Sequence, residues 1–430
     1  MDRLSPLSYA FLAAEDVDPA ACLVIGSMAV LDGPAPALDE VRELVSGRLP
    51  SVPRYTQRVV PTRFDLRAPA WSDAPDVDID RHVTALAVPP PGGRAEVAAL
   101  VADAMAQRMD RTRPLWDLTV CDGLPDGRWG LLSRVHHALA DGVSGTGLYR
   151  AVFDSDATPE EPPPTAPGTA PGVSRRGIVA TAAATVRGGL ALGTAAWPVK
   201  QEGLLGSLDG HRAYAWTEVG ISASRPARRS LGVTLNDLVL AAVAGGLREL
   251  LLERGRQPDP HALRTLLPVS SRPPGTAGTP GNQVTLMLSL LPVEIDDPVE
   301  RVLAVHQRVA DLRGAHEPEA GLALQDVAAL LPFPMVRWGT RLALRLPQQQ
   351  VSTVTTNVPG PRAPLSCLGR PVRSLLPVVP IADRVRLGFV TLSYVDTLAF
   401  GITADAGSTP DVQRLAELVG TSWQAVLDAA

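Results

Sequence analysis

The sequence predicts an α/β protein of two mixed blocks, and three observations carry that reading. The chain has 430 residues, more than one hydrophobic core usually serves. Helical and strand-like hydrophobic patterns alternate up to about residue 153. A Pro-rich stretch follows, and the alternation resumes beyond it, from about residue 210 to the end.

Composition narrows the class. Apolar residues make up 45% and charged residues 20%, ordinary for a soluble globular protein. A net charge of −5 gives no reason to expect nucleic acid as a partner. Cys22, Cys121 and Cys367 lie far apart and in no metal-ligand spacing. A reduced, cytoplasmic protein is expected, with neither a disulfide framework nor a metal site. The opening MDRLSPLSYAFLAAED is too polar and too acidic for a signal peptide.

The elements follow in order. CLVIGSMAVL (22–31) reads as a strand. LDEVRELVSGRL (38–49) sets Leu38, Val41, Leu44, Val45 and Leu49 at helical spacing, and AEVAALVADAMAQRMD (95–110) does the same with Val97, Leu100, Val101, Ala104 and Met105. WGLLSRVHH (129–137) reads as another strand. Residues 1–153 thus form a first domain. DSDATPEEPPPTAPGTAPGVSRRG (154–177) cannot bury enough apolar surface to order itself, so residues 154–209 are expected to be a linker and a connecting helix. Residues 210–430 form the second domain, with a helix at TLNDLVLAAVAGGLRELLLERG (234–255), a strand at 283–295 and a hairpin over 385–405 turning near Val395–Thr397.

GIVATAAATVRGGLALGTAAWPV (177–199) is apolar but weakly so, and Arg187 interrupts it. A mid-segment arginine is costly in lipid, which disfavours a spanning helix. A packed connecting helix is the leading expectation. The alternative is a helix lying on a membrane surface, its flanking Arg175, Arg176 and Lys200 facing anionic headgroups.

The stretch RVHHALADGVSG (134–145) carries the chemistry. Side chains alternate along a strand, so His136 and His137 are expected on opposite faces, one chemical and one supporting the scaffold. The same alternation argues against a metal pair. Asp141-Gly142 signals a turn. A histidine at a strand end ahead of a Gly-rich turn suits a general base, since its ordinary pKa near 6.5 allows it to take a proton at neutral pH. Taken alone, a structural histidine and a simple turn are still the favoured explanation of these residues.

HHALADG matches the HHxxxDG motif of acyltransferases related to chloramphenicol acetyltransferase and to peptide-synthetase condensation domains. LSPLSYAFLAAE, RPLWDLTV (113–120), TLNDLVLAAVAGGLR (234–248), LLPVSSR (266–272), GNQVTLMLSLLP (281–292) and TNVPGP (356–361) fall in the order and spacing of one branch. The chain therefore resembles the bacterial wax ester synthase/diacylglycerol acyltransferase family over nearly its whole length. It lacks DFGWG, the C-terminal motif of the plant branch.

That resemblance implies two chloramphenicol acetyltransferase-like domains with an active-site channel between them. It implies O-acyl transfer from a fatty acyl-CoA to a long-chain alcohol or diacylglycerol, giving wax ester or triacylglycerol plus CoA. Acyl-CoA would be a co-substrate, and no bound cofactor is expected. By the same resemblance His137 is the base and Asp141 pairs structurally with an arginine, either Arg272 or Arg134. Gly142 lets the chain pass close to the reacting centre, and His136 serves scaffold packing. Asn236 lies near the base or the oxyanion. Asn282, Asn357, Pro359 and Gly360 line the substrate channel, although asparagine and glycine also occur at such turns for local backbone reasons. Asp237 at the third position of its helix reads as a cap, with Thr234 before it. Trp116 of the PLW motif reads as core. Lipid substrates imply a peripheral place on the inner face of a membrane or on lipid droplets. The resemblance leaves two alternatives: a carrier-protein-dependent condensation or polyketide-associated acyltransferase, and a non-catalytic acyl-CoA- or lipid-binding relative.

Overall fold

In the computed structural model, residues 2–74, 76–139, 145–155, 203–270, 284–314, 331–346 and 348–430 are described. Their strands in chain order are β1 (Val24–Leu31), β2 (Gln57–Val60), β3 (Ala70–Asp73), β4 (Val83–Ala87), β5 (Trp116–Leu124), β6 (Arg128–His136), β7 (Asp154–Ser155) and β8 (Arg212–Gly220). There follow β9 (Arg264–Ser270), β10 (Val284–Leu290), β11 (Thr353–Val358), β12 (Leu365–Cys367), β13 (Arg370–Val378), β14 (Leu387–Tyr394) and β15 (Thr397–Asp405). They build a seven-stranded sheet in the order β4-β5-β6-β1-β13-β12-β7, a six-stranded sheet β10-β9-β11-β14-β15-β8, and the small β2-β3 hairpin.

Local chemistry explains the elements that matter for the site. Pro125-Asp126-Gly127 turns β5 into β6, with Asp126 and Gly127 both at positive φ, as such tight turns require. The helix Pro6–Val17 starts with Ser5, whose hydroxyl accepts from the Ser8 N–H at 3.0 Å, and with Pro6 in the first turn. The helix Leu235–Glu253 begins at Thr234 and lies against the C-terminal helix Val412–Ala429. The contact is so close that a Cβ on Gly246 would meet the Val419 main-chain nitrogen at 2.9 Å.

Both faces of the first sheet are covered. Leu31, Leu131 and Trp129 pack with the helices Leu38–Arg48 and Gly145–Val152 on one side. Met28, Leu132 and Leu376 on the other side meet the helix Arg94–Ala106 and, from the second sheet, Tyr214, Trp216 and Ala399. The sheets touch where Tyr214 donates to the Pro377 carbonyl at 3.0 Å.

A division near residue 210 does not describe sheet membership. β12 and β13 come from the last quarter of the chain, yet β13 runs antiparallel to β1, pairing Met28 with Leu376, and β12 pairs with β7. The apolar 177–199 segment lies outside the described residues. No single helix among those described is long and apolar enough to cross a membrane.

Candidate active site

The site begins where β6 ends. His136 is the last residue of that strand and pairs with Val24 of β1. The chain then turns, and the His137 N–H donates to the Leu23 carbonyl at 2.8 Å. His136 is fully buried, and the Ala138 N–H donates to its Nδ1 at 3.0 Å. With Nδ1 accepting, the ring proton sits on Nε2. Nε2 lies 3.2 Å from Glu15 Oε1, an electrostatic contact too poorly aligned to count as a hydrogen bond.

Glu15 holds this corner together. It is 1% exposed and accepts from the Leu23 N–H at 2.8 Å and from Arg111 at 2.9 Å. Burial pushes its carboxyl up, but His136, the Leu23 amide and Arg111 together outweigh that and hold it at about 2. One charged carboxylate thus fixes the His136 ring and, through Leu23, the main chain that carries His137.

The His137 ring stacks on Phe11, with centroids 4.1 Å apart and planes inclined by 29°. Phe11 and Glu15 are one turn apart on the helix Pro6–Val17, so one helix face meets both imidazoles. The pleat therefore does not separate the two histidines as strand alternation predicts: the strand stops at His136, and His137 belongs to the turn. Hydrogen bonding distinguishes them instead. His136 accepts from the Ala138 N–H at Nδ1 and faces the Glu15 carboxylate with Nε2, whereas Nδ1 of His137 is buried without a hydrogen-bond partner among the described residues. Burial lowers the His137 pKa to about 4; its own main-chain carbonyl opposes this and His136 adds to it. The ring is neutral at any ordinary working pH.

The other residues singled out in the sequence fall in several places. Asp141, Gly142, Arg272 and Asn282 lie outside the described residues. Arg134 is engaged elsewhere: it grips Asp117 through two bonds of 2.9 and 2.7 Å and donates to the Ala104 carbonyl. Asn236 is half-buried in the first turn of its helix. Asp237 is 2% exposed; its carboxylate accepts from the Thr234 N–H at 2.9 Å, and its own N–H donates to the Thr234 hydroxyl at 3.2 Å. It also meets His306 Nδ1 at 2.8 Å, a partner the sequence does not announce. Trp116 is buried, stacks on His82 at 4.4 Å and donates from Nε1 to the Tyr55 carbonyl.

At the end of β11, Asn357 Oδ1 accepts from the Thr391 hydroxyl at 3.0 Å. Pro359 is exposed. Gly360 is wedged against β14: its N–H donates to the Ser393 hydroxyl at 2.9 Å, and a Cβ there would lie 1.9 Å from the Ser393 carbonyl oxygen. Sequence reasoning misses Phe11, Glu15 and Arg111. The four-residue spacing of Phe11 and Glu15 is visible in SYAFLAAE, but nothing local says what that face meets. Tyr149, which donates to Ser27 of β1 at 2.7 Å and is pushed up to about 12 by burial, is also missed.

Among the described residues no three His, Cys, Asp or Glu side chains gather as metal ligands, and all three cysteines are buried free thiols. Burial raises Cys22 and Cys367 to about 11 and Cys121 to about 12, which leaves them poor nucleophiles. The chemistry on offer is proton transfer at His137.

Two mixed sheets in contact, with a deep, neutral histidine at a strand end, are the arrangement that an acyltransferase of the chloramphenicol acetyltransferase-like class requires. The solved wax ester synthase/diacylglycerol acyltransferase of Marinobacter aquaeolei superimposes with a TM-score of 0.72 at 23% identity, over 99% of this chain and 98% of that one. A trichothecene 15-O-acetyltransferase of Fusarium sporotrichioides shares the fold with a TM-score of 0.68 at 12% identity, over 99% and 94%. The family model of the wax ester synthase/diacylglycerol acyltransferase catalytic domain matches residues 4–196, and that of the family's C-terminal domain matches residues 280–426. A probable diacylglycerol O-acyltransferase of Mycobacterium tuberculosis, tgs1, is 38% identical over 97% of this chain and 94% of its own length. A putative diacylglycerol O-acyltransferase of the same species is 33% identical over 96% and 88%. The chain belongs to the wax ester synthase/diacylglycerol acyltransferase family.

Proposed function

We propose that the protein transfers a fatty acyl group from acyl-CoA to diacylglycerol or a long-chain alcohol, with His137 as general base. The observation that carries this reading is the neutral His137 ring, held at a strand end by Leu23 and Phe11. The names of the relatives support the acceptor class. With Nδ1 sealed in the protein, Nε2 is the nitrogen for proton exchange. It takes the hydroxyl proton as the acceptor oxygen bonds to the thioester carbon. The carbonyl oxygen becomes an oxyanion, for which the Asn236 amide is the candidate donor. Collapse re-forms the C=O bond and breaks C–S, and His137 returns the proton to the CoA thiolate. A base with so low a pKa cannot hold the proton before the attack, so transfer accompanies C–O bond formation. The thioester supplies the activation, and the reading calls for no bound cofactor. Its place is the inner face of a membrane or the surface of a lipid droplet, where its acceptors partition.

The test is CoA release, read with a thiol reagent, from wild type and His137→Ala. Palmitoyl-CoA is offered with hexadecanol, with dioleoylglycerol and alone. Acceptor-dependent release that falls roughly 10²- to 10⁴-fold in the variant is the expected result. Equal release from both proteins, or none with either acceptor, would overturn the assignment.

A further inference from the structure

We infer that the helix Phe333–Arg345 is a docking surface for an anionic lipid bilayer, placed one helix away from His137. The inference rests on the proposed acyl transfer for its purpose, but the observations are independent of it.

No residue of this helix is buried. Met335, Trp338 and Leu342, with Leu346 just beyond the helix end, recur at helical spacing and are 57%, 70%, 44% and 61% exposed. A surface helix of a soluble protein ordinarily turns such a stripe inward. Here the inner side carries arginines instead. Arg337 pairs with Asp65 at 3.0 Å and Arg341 with Asp16 at 3.3 Å, so those charges are satisfied against the protein. Leu331 and Leu66, themselves exposed, line a separate cleft at the start of the helix together with Phe333, Arg3 and Arg67.

Charge selects the occupant. Arg345 on the stripe, and Arg3 and Arg67 at the cleft beside the helix start, are exposed and have no acidic partner among the described residues. Arg345 lies seven residues after Trp338, on the same face. The chain as a whole is net negative, so this fringe is a local exception. An exposed tryptophan beside arginines suits the headgroup boundary, where indole rings rest and arginine side chains reach phosphates. A second copy of the chain is a poorer fit, because a two-fold contact through this stripe would set the same unpaired arginines against one another.

The position gives the surface its use. Phe333 meets Tyr9 edge-on, with centroids 4.9 Å apart. Tyr9 is two residues from Phe11, which stacks on His137. Among the described residues the helix Pro6–Val17 thus touches both the helix Phe333–Arg345 and the base, which places the docking surface close to the reacting centre.

The test is sedimentation with phosphatidylcholine vesicles, with and without phosphatidylglycerol, of wild type, Trp338→Gln/Leu342→Gln and Arg67→Glu/Arg345→Glu. These side chains are exposed, and circular dichroism checks that each variant is folded. Wild type should bind the acidic vesicles, and partitioning should fall at least about tenfold in the apolar variant. The arginine variant should lose the preference for phosphatidylglycerol. Wild type that ignores both vesicles, or variants that bind as wild type does, would overturn the proposal. So would a wild-type dimer that the apolar variant splits, which would make a second copy the occupant. Wild type that binds vesicles yet releases no CoA with any acceptor would refute the acyl-transfer reading and leave the docking surface standing.

Discussion

Phe11 and His137 lie nearly parallel, 4.1 Å apart, and this contact seals one face of the imidazole from water. Phe11→Ala opens that face. The pair is worth roughly 0.5–1.5 kcal/mol, so kcat/KM should fall about threefold to tenfold while the fold survives. Water reaching the ring should also move the His137 pKa back toward 6.5. Steady-state kinetics across the acid range checks both effects in one series.

The pH profile of wild type follows from the same ring. Its pKa of about 4 lies below the ordinary 6.5, so the base is neutral above pH 4 and protonated below it. The acid limb of kcat/KM should therefore have its midpoint near 4 rather than near 6.5. Protonation favours the unfolded chain, where the ring is solvated. The contribution of this group to stability is complete above 6.5 and is lost as the pH falls through about 4.

Glu15 sets a second, lower window. Its folded pKa of about 2 lies below the ordinary 4.5, so its contribution is present above 4.5 and is lost as the pH falls through about 2. The shift corresponds to about 3 kcal/mol at neutral pH. Glu15→Gln should lower the melting temperature at neutral pH, and the gap to wild type should narrow on acidification. It should also lower kcat, because Leu23 and His136 lose their common anchor. A gap independent of pH would contradict the charged, buried carboxylate.

Gly360→Ala tests the TNVPGP turn. The added methyl would enter the Ser393 carbonyl, so the end of β11 must move away from β14. A loss of about 1–3 kcal/mol is expected, measured by denaturant unfolding, because overpacking forces the backbone to shift. Asn357 and its bond to Thr391 move with the same turn. A substitution without cost would show that the turn is free of β14.

Much of this was legible in the sequence, and what was not has a common cause. The helix over 234–255 and the hairpin over 385–405 appear as Leu235–Glu253 and as β14–β15 turning at Val395, because capping, periodicity and turn chemistry are local. The Thr234–Asp237 reciprocal cap is likewise written within four residues. Glu15 is not legible: a single glutamate at the end of an amphipathic helix reads as a solvated charge. Its burial depends on Arg111, Leu23 and His136, which only the fold brings together. The stripe on Phe333–Arg345 escapes for the converse reason. Apolar residues at helical spacing normally mark the side facing the core, and only the structure shows that these face outward.

The path of β13 bears on how the protein is made. Met28 leaves the ribosome about 350 residues before Leu376, its neighbour in the sheet. The first sheet cannot close until β13 has been made, and until then the β1 edge remains an open template for misplaced strands. Pairing partners so distant in sequence also make for slow folding, since the loop must close before the contact rewards it. Severing the polypeptide between its two halves would leave the first without its central partner strand, so neither β1 nor the His137 turn beside it would be held in place.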